Sequence, residues 1–121
     1  MRKYVVVRFY KDKNLADKAA VETEGVVLDA SGGLDACIMG TSKEGLKVTD
    51  MRGKVVANYA LAVPEILGDE EERALNNNKV DEYLEATKDE DVEPEMLWRN
   101  TSKYTPVIAY VYPIYLDKEE V

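Results

Sequence analysis

"YTPVIAYVYPIYLD", residues 104–117, is the stretch on which the fold turns. Tyr104, Pro106, Ile108, Tyr110, Tyr112, Ile114 and Leu116 alternate with Thr105, Val107, Ala109, Val111, Pro113, Tyr115 and Asp117, the period of two that belongs to a β-strand. Both sets are largely apolar, so the pattern predicts one strand covered on both faces. Pro106 and Pro113 restrict that reading, because a proline has no amide hydrogen to give a ladder and is confined to strand ends or to an edge.

A second stretch of the same kind lies at the other end of the chain. In "KYVVVRFY" (3–10), Val5, Val7 and Phe9 fall on one face and Tyr4, Val6, Arg8 and Tyr10 on the other. "KYVVVRFY" and, within the first stretch, "PVIAYVY" (106–112) are expected to be central or adjacent in one sheet. "NLADKAAVETEG" (14–25) sets Leu15, Ala19 and Ala20 at helical spacing, with Asp12 or Asn14 as cap and Gly25 as stop.

The middle third reads as a meander. "SGG" parts "GVVLDA" from "LDACIMG", "KEG" parts the latter from "LKVTD", and "MRGK" parts that from "VVANYALAV". Each break is a glycine-bearing linker of hairpin length. "VTDMRGKVVANY" is expected to be a hairpin in which Gly53 supplies a positive φ, and Pro64 ends the sheet region. The fold class predicted is α+β: one domain over 1–121, an antiparallel sheet of five to six strands, a short N-terminal helix, and an acidic helical segment before the last strand.

That acidic segment is the compositional anomaly. Residues 69–95 hold twelve of the chain's twenty-four carboxylates against Arg73, Lys79 and Lys88, so the rest of the chain is close to neutral although the whole carries −8. Asp69 followed by Glu72 fits a helix-capping box, and Asn78 followed by Asp81 a weaker one, so "NNN" either divides two short helices or is crossed by one. Ala74 and Leu75, then Val80, Tyr83, Leu84 and Thr87, form a narrow apolar stripe. Glu85, Asp89, Glu90 and Asp91 stand at the end of the helix where the macrodipole disfavours acids, and stability alone does not account for them.

Several chemistries are excluded by composition. Without histidine, the usual nucleophilic triads, histidine acid–base catalysis and His-containing zinc sites have no ligands or bases to use. One cysteine, Cys37, rules out an internal disulfide and thiolate clusters, and its apolar setting reads as a small buried hydrophobe. "SGG" lacks the lysine of a phosphate loop and the spacing of a dinucleotide fingerprint, and "DEDVE" lacks the alternating ligands of a calcium loop. A catalytic carboxylate pair needs a raised pKa that crowded, hydrated acids do not have. The reading is therefore non-enzymatic, with no cofactor and no metal. The short apolar run at the N-terminus suits neither a signal peptide nor a membrane span, and an acidic pI of about 4.6 opposes nucleic acid and anionic membrane. A cytoplasmic protein with basic partners is expected.

Two sets of residues are candidates for binding. Glu70, Glu71, Asp81, Glu82, Glu85, Asp89 and Asp91, displayed on helix, place carboxylates about 5 to 6 Å apart, comparable to phosphates along a strand. They suit a basic protein surface, a nucleic-acid-binding one included, with a plain solvated face as the alternative. Trp98, Arg99, Asn100, Tyr104, Tyr110 and Tyr112 combine aromatic faces with a guanidinium and form the alternative site, for a nucleotide-like anion in an oligomer. The tyrosine-rich last strand also suits pairing with its own copy as a homodimer. In size, acidity and lack of catalytic signatures the chain resembles, as a class, small phage-encoded inhibitors of host defence, nucleic-acid mimics among them; that resemblance assigns no residue.

Overall fold

The computed structural model describes residues 2–45, 47–65, 68–98 and 104–117, with the backbone alone over 47–51. Within these residues the order is β1 (Arg2–Tyr10), α1 (Lys13–Thr23), β2 (Val26–Asp29), β3 (Leu34–Ser42), β4 (Lys47–Val56), β5 (Tyr59–Pro64), α2 (Glu70–Ala86), a 3₁₀ turn (Lys88–Glu90), β6 (Glu95–Leu97), β7 (Tyr104–Val111) and β8 (Ile114–Leu116). The expected single sheet of five to six strands is replaced by two four-stranded antiparallel sheets. Their orders are β2-β5-β1-β8 and β6-β4-β3-β7.

Pro113 is one cause of the division. The Tyr112 N–H still donates to the Asp35 carbonyl at 3.0 Å, but Pro113 has no donor to continue that ladder. The chain leaves β3 there and pairs Ile114–Leu116 with Arg2–Tyr4 of β1 in the other sheet. What reads as one strand is two, and β1 and β7 are not neighbours. β1 is interior to its sheet, while β7 is an edge, as Pro106 requires.

The glycine-bearing breaks are not all hairpins either. "KEG" is one, with Gly45 at φ 81° between the paired β3 and β4. "SGG" instead carries the chain between sheets, since β2 pairs with β5 and β3 with β4 and β7. An Asp29 side chain that accepts from the Ser31 N–H at 2.9 Å and the Ser31 hydroxyl at 2.6 Å starts this crossing. Ala30 then clamps it to the return crossing, donating to Asn58 and accepting from the Ala57 N–H, both at 3.2 Å. "MRGK" is no turn at all, because β4 runs through it. Gly53 does not supply a positive φ; its missing Cβ leaves room for the Ile38 side chain and the Leu97 carbonyl.

β1 also departs from strict alternation. Val6 lies opposite Ala62 and Arg8 opposite Leu61, so Val7 is an extra residue in a β-bulge. The bulge exchanges the faces beyond it. Arg8 and Tyr10 join Leu61 and Tyr59 on the side facing the helices, and Phe9 turns to the other sheet. One core is then Tyr10 and Leu61 against Ala16 and Ala19 of α1, with Tyr83 and Leu84 of α2 at its border. The second is Ala36, Ile38, Val55 and Trp98, onto which Phe9 packs from the first sheet. The layers are helices, first sheet, second sheet. Cys37 is buried, as its setting predicts. Among the described residues no helix is long and apolar enough to cross a membrane.

Candidate functional site

Helix α2 runs unbroken through "NNN". Asp69 caps it, its carboxylate accepting from the Glu72 N–H at 2.9 Å, and the Glu72 side chain folds back over Gly68. Glu70, Glu71 and Glu72 occupy the first turn, where the exposed N–H groups favour negative charge. No residue of α2 is buried. Asn76, Val80, Tyr83 and Leu84 are half-buried at steps of three and four, and this is the inward line. The lower part of the expected apolar stripe holds to it. Ala74 and Leu75 do not, because Leu75 sits about 100° around the helix from Asn76 and is 69% exposed.

The helix is rooted at its C-terminal end. Its last turn contains no basic residue, and Lys88 just beyond it pairs with Glu85, so the carbonyls there need a cation from elsewhere to offset the dipole. Arg8 supplies it from β1. The guanidinium donates to the Thr87 carbonyl at 3.0 Å, to the Thr87 hydroxyl at 2.6 Å and to the Leu84 carbonyl, and its Nε pairs with Asp91. Arg8 is 6% exposed, and a buried guanidinium is tolerated only when its donors are engaged in this way. The same guanidinium lies 5.9 Å from the Tyr10 ring centre. Beside it, the Tyr83 hydroxyl and one Glu90 oxygen are buried without a hydrogen-bond partner among the described residues, and the Tyr10 hydroxyl is buried next to Arg8. Burial raises the pKa of both tyrosines, and the Arg8 charge opposes it.

The acidic candidates therefore divide. Glu70, Glu71, Asp81, Glu82, Glu85 and Asp89 are exposed, and of these Glu85 meets Lys88 at 3.6 Å in a solvent-exposed pair worth little. Asp91 is different, since its carboxylate is engaged by Arg8. Glu71 and Glu82 are about 16 Å apart along the axis, with Leu75 and Asn78 between them on the outer side. The carboxylates thus form two blocks with a neutral gap.

The other candidate set is not brought together. Trp98 is 7% exposed and belongs to the second core, where its ring centre is 6.1 Å from that of half-buried Tyr104. Tyr110 and Tyr112 make an edge-to-face pair at 5.3 Å, and Tyr110 is opposite Cys37 on the outer face of the same sheet. Arg99 and Asn100 lie outside the described residues.

Comparison with protein-family models, with curated proteins and with solved structures returned no match. The site rests on its own geometry. Arg8, missed by sequence reasoning, carried one signal: a lone cation within "VVVRFY" is costly to bury unless a distant group receives it.

Proposed function

We propose that the chain is a non-catalytic interaction protein whose acidic helix, α2, binds a basic surface on another protein, one shaped to hold nucleic acid included. The observation that carries this reading is the exposure of Glu70, Glu71, Glu82 and Asp89 on elements fixed at their root by Arg8. A helix held by its own body presents charge without an ordering penalty at the moment of binding. Side chains three and four apart on its surface match the spacing a phosphate-binding groove expects, and association releases counterions, so it weakens with salt.

Reversal of Glu82, Glu85 and Asp89 to lysine tests the reading. Capture from the source cells at about 50 mM salt is expected to retain basic proteins on the native chain, to lose them at about 500 mM, and to lose them on the variant. All three side chains are exposed, so unfolding stability is expected to stay within about 0.5 kcal/mol. Identical capture by the native and reversed chains contradicts the proposal.

A further inference from the structure

The inner side of α2 carries a different chemistry from the outer. Between it, the end of α1 and the β1–β5 face is a cleft of about 540 Å³, within the size range of small-ligand sites. Its floor is apolar: Val5 and Val63 are register partners on one sheet face, and Val80 faces them from α2. Its two helical walls have opposite charge. Glu22 and Glu24 line it from the end of α1, and Arg73 and Lys79 from α2, so that two of the three cations in the acidic segment sit here. Among the described residues no ion pair bridges these walls. Asn76 and Asn77 add two carboxamides, groups that both donate and accept as a peptide bond requires.

A simple anion meets four carboxylates against three cations in such a cleft, since Glu65 and Asp81 add to Glu22 and Glu24, and Arg2 to Arg73 and Lys79. A purely apolar molecule leaves both walls unmatched. The complement is a molecule with an ammonium at one end, a carboxylate at the other and an apolar middle. We propose that this cleft binds a short zwitterionic peptide, its ammonium at Glu22 and Glu24, its carboxylate at Arg73 and Lys79, its backbone at Asn76 and Asn77, and an apolar side chain on Val5, Val63 and Val80. The proposal uses none of Glu70, Glu71, Glu82, Glu85 and Asp89, on which the binding of a basic protein rests, so each stands or falls without the other.

The probe is tri-leucine, titrated into the whole chain while methyl and side-chain amide resonances are followed by NMR. Saturable shifts at Val5, Val63, Val80, Asn76 and Asn77 are expected. Capping both peptide ends by acetylation and amidation is expected to weaken binding about tenfold or more, as is Glu22→Gln with Glu24→Gln in the protein. Both glutamates are exposed, and unchanged resonances elsewhere confirm that the variant is folded. Equal affinity for capped and free peptide overturns the proposal, as do equivalent shifts with inorganic phosphate, shifts confined to the second sheet, or none at about 10 mM peptide.

Discussion

Gly40 has no side chain because the Trp98 indole fills the place a Cβ would take, with the Tyr104 Cβ 2.8 Å from it. Gly40→Ala is therefore overpacking in a finished core and is expected to cost about 1 to 3 kcal/mol, read as a lower urea midpoint; an unchanged midpoint contradicts that packing. Tyr10 and Tyr83 give a pH signature. Their pKa values are raised above the ordinary 10.0 chiefly by burial, so below that value the folded and unfolded chains both keep these protons. As the pH climbs past it the unfolded chain releases them first, and stability falls through the folded-state values. Absorbance titration is expected to show a late-titrating fraction among the eight tyrosines that vanishes in denaturant. A single ordinary titration in the native protein is the contrary result. Little of this was legible in sequence: "GTS" and "LWRN" carry no mark that a glycine in one makes room for an indole in the other. Cys37 was legible, because its apolar alternation alone implies burial.

At the scale of elements, sequence reasoning succeeded where the signal is local. The α1 cap at Asp12, whose side chain accepts from the Asn14 N–H at 2.8 Å, the end of β5 at Pro64 and the Asp69 cap of α2 all follow from side chains acting on their own backbone. It failed where pairing partners decide. The "SGG" crossing and the "KEG" hairpin have the same turn chemistry, and only Ala30 bonding to Asn58 rather than to a neighbouring strand separates them. Likewise the bulge at Val7 is fixed by the register of β5, not by anything in "VVVRFY". Because the first half of α2 packs little, its cap has a local consequence. Asp69→Ala is expected to lower helicity by fraying the first turns, at about 0.5 to 2 kcal/mol of helix stability, while the tyrosines of the core keep their near-ultraviolet signal. Loss of both signals together would mean that α2 folds as one unit with the body.

For the molecule as a whole, the two sheets make a body and α2 an acidic projection from it, joined where Arg8 meets Thr87 and Leu84. The outward carboxylates were legible from charge and helical spacing. Their root was not, because Arg8 and Thr87 are 79 positions apart and no local pattern links them. The edge strand β7 carries Pro106, which has no amide hydrogen to give, and Ala109 is an extra residue in its register with β3. The central claim is that one buried guanidinium holds the acidic helix to the body. Amide hydrogen exchange by NMR on the native chain and on Arg8→Met tests it most directly. In the native protein, protection is expected to rise along α2 toward Leu84–Thr87. In the variant it is expected to collapse along the whole helix while β1 and β5 stay protected. Unchanged protection in α2, or equal loss throughout both sheets, would contradict the claim.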